Sequence, residues 1–530
     1  MKKLVSMILT LVLVLSMAVP AMAADESYTI KIKNSSAAHT YEAYQIFQGD
    51  FDKDDSTVPP TWTISNAQWG NGINDAGKAH FGNAETMAES LTDEAAAKAF
   101  AVRLIPYLVV DNAKTSGTYN SSEKTYTIGD LDPGYYLIKD MDNSLTGDES
   151  SYTAYIMKVA ENTEITPKAA KPSSYKKVMD ASDSFANVND GKWIDSADHD
   201  MGDQVPFQLT GTLPSNFTEY LNYTMVFHDE QSAGLTFNPA SVKVYVNHLE
   251  DRHLVSSGYT IKTKSTEDEF ASCACSNANC TFEIEIPNVR NLKDAAGEHI
   301  NVNANTLIEV EYTSELNTGA EIGAVGNPNE MYMEYSNNPN QTSGGELGKT
   351  KKDKVIVFTY KTIINKVKEN HDALEGADFK LEKKMLDGTW VEVNKNIVKT
   401  PAVNPTTFEF RGLDDGYYRI TESATPDGFN SIDPFCFEII AQHNDSSENP
   451  ALILLHSNQI TETGANVTDN IIFSATVDLT AGSITSDIVN KAGATLPETG
   501  GMGTTLFYIV GAILVIGAGV TLIARKRMNK

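Results

Sequence analysis

Phe282-Glu283-Ile284-Glu285-Ile286 alternates apolar and acidic residues at a period of two, and Val242-Lys243-Val244-Tyr245-Val246 has the same rhythm. Successive side chains of a strand point to opposite faces, so such segments predict half-buried β-strands. Strand-like stretches recur at Tyr28-Thr29-Ile30-Lys31-Ile32, Tyr135-Tyr136-Leu137-Ile138 and Tyr155-Ile156-Met157. The turn dipeptides Asp387-Gly388, Asp415-Gly416 and Asp427-Gly428 punctuate the last third. One stretch departs from the pattern: Ala84 to Ile105, rich in Ala, Glu and Leu, predicts a single helix stopped by Pro106. The whole predicts an all-β chain of tandem immunoglobulin-like β-sandwich domains, the first with an inserted helix. Boundaries are expected at 24–170, 171–352 and 353–494, with Gly344-Gly345-Glu346-Leu347-Gly348-Lys349 opening a linker.

Length and charge agree. The 530 residues suit about three domains. The 70 acidic against 42 basic residues, net −28, exclude a nucleic-acid partner, which needs a basic stripe. With 41% hydrophobic residues the chain can bury real cores, and four cysteines are too few for a disulfide scaffold.

The two ends give an address. Lys2 and Lys3, the apolar run from Leu4 to Val19 and Ala21-Met22-Ala23 have the three parts of a secretory signal peptide, residues 1–23. At the other end, the nineteen uncharged residues 506–524 span about 28 Å as a helix, enough to enter a membrane transiently, and Arg525, Lys526, Arg527 and Lys530 keep the tail inside. Before that span stands Leu496-Pro497-Glu498-Thr499-Gly500. In this setting, residues 495–530 resemble the LPxTG sorting signal of Gram-positive surface proteins. The resemblance implies that a sortase thiolate attacks the Thr499 carbonyl, releases the segment from Gly500, and passes the chain to peptidoglycan.

The last domain carries Lys366, then Gly376-Ala377-Asp378-Phe379, then Tyr418-Arg419-Ile420-Thr421-Glu422 and finally Ile488-Val489-Asn490-Lys491. That order resembles a collagen-adhesin (Cna) B-type domain, with Ile420 in the Leu place of its Tyr-x-Leu-x-Glu box. Together with the ends, it makes the chain similar to the backbone pilins of Gram-positive sortase-assembled pili. The resemblance implies Cna-type sandwiches in which Lys366 and Asn490 condense into an intramolecular amide while Glu422 assists. The chemistry requires a neutral amine, and burial lowers a lysine pKa by disfavouring the ammonium. Two groups held ~3–3.5 Å apart also react at a high effective molarity.

By the same resemblance, the middle domain implies a second amide. Matching Lys-x-Val and Asn-x-x-x-x-x-Tyr gives Lys176, the assisting acid Asp229, and Asn329; Lys177 and Asn337 stay open as alternatives. In the first domain Asp140 replaces the box Glu, and no Lys/Asn pair frames it, so no amide is expected there. The family's polymerising lysine is implied at Lys168, in Glu164-Ile165-Thr166-Pro167-Lys168, where Thr166 replaces the usual Tyr; Lys171 is the rival. The implied partners are sortase, neighbouring copies of the chain, peptidoglycan and accessory pilins.

No cofactor or metal is expected. Asp50, Asp52 and Asp54 mimic a calcium loop, but Asp55 and Thr61 occupy its Gly and Glu places. His248 and His253 lack partners at metal-site spacing. Cys273-x-Cys275-x4-Cys280 suggests a loop disulfide, and Cys436 a small buried hydrophobe. No hydrolase motif such as Gly-x-Ser-x-Gly or His-Glu-x-x-His occurs. The rival to a pilus subunit is a monomeric wall-anchored adhesin binding a host or matrix ligand.

Overall fold

The computed structural model describes residues 27–34, 37–57, 60–145, 151–152, 154–166, 170–180, 184, 191–248, 251–263, 280–339, 341, 347–393, 397–493 and 502–528. The signal peptide, Lys168, Cys273, Cys275 and the Leu496–Gly500 motif lie outside the described residues. Three pairs of β-sheets follow one another along the chain, so the molecule is a series of β-sandwiches.

In the first unit, strands Tyr28–Lys33, Thr125–Leu131 and Thr163–Ile165 form one sheet. Tyr41–Asp54, Thr61–Trp69, Lys114–Thr115, Gly134–Asp140 and Ala154–Val159 form the other. Ile30, Ile32, Ile128, Tyr136 and Ile138 pack between them, while Phe47, Phe81, Phe100 and Leu104 tie the second sheet to the helical insert. The single helix expected over 84–105 is divided into Ala84–Ser90 and Glu94–Leu104, after an extra helix at Asp75–Phe81. The break has a local cause. Asp93 accepts a hydrogen bond from the Ala96 amide (2.8 Å) and so caps a new helix, as Asn83 does at Thr86.

The middle unit faces a six-stranded sheet against a seven-stranded one. The first contains Ser174–Met179, Gln204–Thr212 and Leu307–Leu316; the second contains Met225–Gln231, Phe282–Ile286 and Asn327–Ser336. Phe282, Ile284 and Ile286 enter the core as their alternation implies. Glu283, on the opposite face, is buried too, beside His228 of the neighbouring strand (3.0 Å).

The third unit is a five-stranded sheet on a six-stranded one. Tyr360–Lys368 and Ser483–Asn490, its first and last strands, are parallel neighbours. Phe379, Phe408, Phe410, Tyr418 and Phe437 fill the space between sheets.

The sequence divides middle and third units at 352/353, but the strand Asp353–Phe358 pairs with Asn327–Ser336 inside the middle sheet. Its alternation serves both units: Val355 and Val357 join the middle core, Ile356 and Phe358 the third. The third unit's own sheets begin at Tyr360. Backbones meet closely here. A Cβ on Gly482 (φ +57°) would lie 2.3 Å from the Gly323 Cα, so the turns carrying Ile322 to Ala324 and Thr480 to Gly482 can pack only because both glycines lack one.

Charged groups line the same junction. Lys383 is buried between Asp200 (2.6 Å) and Asp414 (3.0 Å), and His443 faces Asp198 (3.5 Å) and Ser196 (2.8 Å). Burial alone would lower the pKa of His443, but the hydrogen bond and charge of Asp198 outweigh it and raise the value. Asp203 does the same for His199. Burial also raises Asp414 and Asp200. The folded junction therefore holds protons that the unfolded chain releases. The histidine contribution to stability is complete below the ordinary value of 6.5 and is lost as pH rises through the raised values. The two raised carboxyls act in the same direction. The lowered Asp198 and Asp203 contribute stability that is fully present above 3.8 and is lost only as pH falls below it, so they leave the span from about pH 6 to about pH 8.5 unchanged. Thermal unfolding at about pH 8.5 should have a lower midpoint than at about pH 6, and His443→Gln should narrow the gap; an unchanged gap contradicts the assignment to His443.

Candidate functional site

Each of the last two sandwiches buries a lysine whose amine meets an acid reaching across from the opposing sheet. In the third unit, Lys366 lies on the first strand with no exposed surface. Its Nζ donates to Oδ1 of Asn490, at the end of the last strand, and stands 3.1 Å from Oε1 of Glu422. The same Oε1 accepts from Asn490 Nδ2 at 2.9 Å. Glu422 comes from Gly416–Ala424 in the facing sheet, and its other oxygen is held by Thr425 Oγ1 (3.0 Å) and the Ile432 amide (3.2 Å). One carboxyl oxygen thus touches both the prospective nucleophile and the amide nitrogen that would leave. Burial pulls the Lys366 pKa below its ordinary value, against the opposing charge of Glu422, which moves the amine toward the neutral form that attack needs.

The middle unit assembles its groups differently. Lys176 is fully buried on Ser174–Met179, and its Nζ donates to Oδ2 of Asp229, on the facing sheet, and to Tyr312 Oη (2.9 Å). Tyr312 donates to the same Asp229 oxygen (2.8 Å) and accepts from Asn329 Nδ2 (3.0 Å). The tyrosine hydroxyl therefore stands at the centre of the group, bonded to all three. Oδ1 of Asn329 makes no hydrogen bond among the described residues. Desolvation lowers the pKa of Lys176 and raises that of Asp229, with the attraction between them opposing both shifts.

The rival residues fall elsewhere. Lys177 points to the other face and pairs with Asp195, its side chain about a third exposed. Asn337 is buried beyond the Asn327–Ser336 strand, where its carbonyl accepts from the Tyr152 amide (2.8 Å). Lys171 is exposed. In the first unit a buried lysine escaped the sequence reading: Lys139 pairs with Glu42 (3.3 Å) and Asp142 (3.0 Å), and Tyr44 donates to Glu42 (2.7 Å). Its described partners include no asparagine. Tyr312 was also missed, although its place in Glu311-Tyr312-Thr313, opposite Phe207, marks an inward-facing position. Cys280 is a free buried thiol donating to the Phe282 carbonyl (3.2 Å), which replaces the expected disulfide at this cysteine. At the C-terminal end, Met502–Met528 is one helix, apolar enough over Tyr508–Met528 to cross a membrane.

Comparison with known proteins agrees with this layout. Residues 361–449 match the family model of a prealbumin-like fold domain, and residues 488–530 that of the LPXTG cell wall anchor motif. The chain is 26% identical over 414 residues to the trypsin-resistant surface T6 protein of Streptococcus pyogenes serotype M6, covering 68% of this chain and 70% of that one. Among solved structures, the T6 backbone pilin of serotype M6 Streptococcus pyogenes, described as modular and three-domain, superposes with a TM-score of 0.51 at 18% identity. That match covers 89% of this chain and all of the other, and it supports the tandem-sandwich fold.

The contrast between the two adjacent lysines is measurable. Lys176→Ala strands the buried Asp229, which alone should cost about 3–5 kcal/mol in denaturant unfolding, with any crosslink through Lys176 lost in addition, whereas Lys177→Ala removes a partly exposed pair and should cost under ~1 kcal/mol. Equal costs would contradict the assignment.

Proposed function

We propose that this homologue of Gram-positive backbone pilins is the repeating subunit of a covalent surface pilus, anchored in the cell wall through its LPXTG segment. The observation that supports the reading best is the contact of Lys366, Asn490 and Glu422 inside a chain that ends in a sorting signal. A buried neutral amine attacks the Asn490 side-chain carbonyl carbon. The Glu422 carboxyl takes the surplus proton from the attacking nitrogen and gives it to the departing NH2. One C–N bond forms, one breaks, and ammonia leaves. In the middle unit Lys176 and Asn329 join in the same way, with Asp229 assisting and Tyr312 aligning the pair. Each bond forms once per chain, so the protein is a self-crosslinking structure and no catalyst.

Between subunits, a sortase transfers the Thr499 carbonyl to the amine of Lys168 in the next copy, with accessory pilins and finally peptidoglycan as further acceptors. The helix at Met502–Met528 holds the chain at the membrane until that step.

Intact mass tests the internal bonds. Each amide expels one ammonia, about 17 Da, so two bonds lower the mass by about 34 Da. Lys366→Ala or Glu422→Ala should halve the deficit, and Asp229→Ala with Glu422→Ala should abolish it; a wild-type mass equal to that of the processed sequence overturns the proposal. Losing the bond between Lys366 and Asn490, 124 positions apart, should cost about 4–5 kcal/mol by the chain-entropy argument for a loop near that size. The intersubunit link has its own readout. Lys168→Ala should remove the high-mass ladder of wall-released material on denaturing gels. A persisting ladder moves the acceptor to another lysine, and no ladder from the unaltered chain favours the adhesin.

A further inference from the structure

The outer face of the middle unit's seven-stranded sheet holds a cluster that the crosslinking chemistry does not use. On Met225–Gln231, Phe227 and Asp229 point to the core, and His228, between them, points the other way. His228 is nevertheless fully buried, stacked on Tyr332 with ring centroids 4.5 Å apart. It sits in register with Glu283 of the adjacent strand, Nδ1 3.0 Å from Oε1. The Cys280 thiol completes the group: one donor atom from each of His228, Cys280 and Glu283 lies within 4.8 Å of the other two, and all three residues are buried.

An ion pair between imidazole and carboxylate would account for His228 and Glu283. It does not explain why the Cys280 sulfur, whose own hydrogen bond goes to the Phe282 carbonyl (3.2 Å), lies within 4.8 Å of both donor atoms. A thiolate, an imidazole nitrogen and a carboxylate oxygen are the donor types that zinc takes, and three protein ligands leave a fourth position for water. The far side of the ring fits this reading. Nε2 of His228 stands 3.4 Å from Glu334, itself paired with Lys349 at 3.0 Å. A carboxylate on the second nitrogen of a ligating histidine fixes its tautomer and turns the first nitrogen to the metal.

We propose that His228, Cys280 and Glu283 form a site for one divalent transition-metal ion of zinc's preferences, with Glu334 as a positioning residue for the imidazole. Binding displaces the thiol proton to solvent and forms a metal–sulfur bond. The ion would tie Met225–Gln231 to Phe282–Ile286 on the face opposite Asp229, bracing the strand that carries the acid of the middle amide.

The test uses the full-length chain in detergent, reduced, stripped of metal by chelator and titrated with cobalt(II), whose thiolate charge-transfer band reports sulfur ligation. The wild-type chain should bind one equivalent with that band, and zinc should displace the cobalt. Cys280→Ser and His228→Gln should lose the band, while the Cys273→Ser/Cys275→Ser double variant should keep it. Glu334→Gln should keep it with affinity reduced about 10–100-fold. The wild-type titration decides without any variant: no band at saturating cobalt overturns the site. So does a band that survives Cys280→Ser, or one that vanishes in the double variant.

Discussion

A lysine amine with no exposed surface costs several kcal/mol as an ammonium unless an acid and further hydrogen bonds surround it. Lys176 and Lys366 both stand in that position, and the organisation of their sandwiches follows from it. Each has a carboxyl group delivered from the opposite sheet, and a side-chain amide close by. The two sheets must therefore close before either acid reaches its lysine. Folding is what assembles and desolvates the amine, so the proposed amide formation would have to follow it.

The two sites solve the same problem with different parts. In the third unit, Glu422 contacts amine and amide directly, within one sheet's parallel pair of end strands plus one acid from across the core. In the middle unit, lysine and asparagine come from opposite sheets, and Tyr312 bridges them through a hydroxyl held by Asp229. A bond in the first case ties neighbouring strands, and in the second ties the two sheets. With the proposed bond in place, tension entering the third unit at Tyr360 and leaving past Asn490 would follow a route that omits most of the unit between them. The junction before it is closely packed: one strand serves two cores, two glycines come into contact, and Lys383 lies buried between Asp200 and Asp414.

Much of this was legible in the sequence, for identifiable reasons. The Lys366, Glu422 and Asn490 trio stands in ordered motifs. The choice between Lys176 and Lys177 was in principle open to parity: Val178 enters the core, so Lys176, two residues before it, shares that face. Asn329 likewise shares the parity of Met331 and Met333, whereas Asn337 lies past the strand end. What escaped depends on neighbours distant in sequence. Glu283 looks solvent-facing until His228 is placed beside it, and Lys383 looks like surface charge until Asp200 arrives from another unit. The boundary placed at 352/353 falls at the head of the Asp353–Phe358 strand, which faces two cores, and the helix over 84–105 is divided where Asp93 caps Glu94–Leu104.

A covalent bond between Lys366 and Asn490 would remove the chain between them from the path of tension. Single-molecule stretching of the third unit from its two ends reads this directly. At ~3.3–3.6 Å per extended residue, releasing the 124-position span would add roughly 400 Å of contour length. The expected record lacks that step up to rupture of the tether. A reproducible gain of about 400 Å would contradict the account.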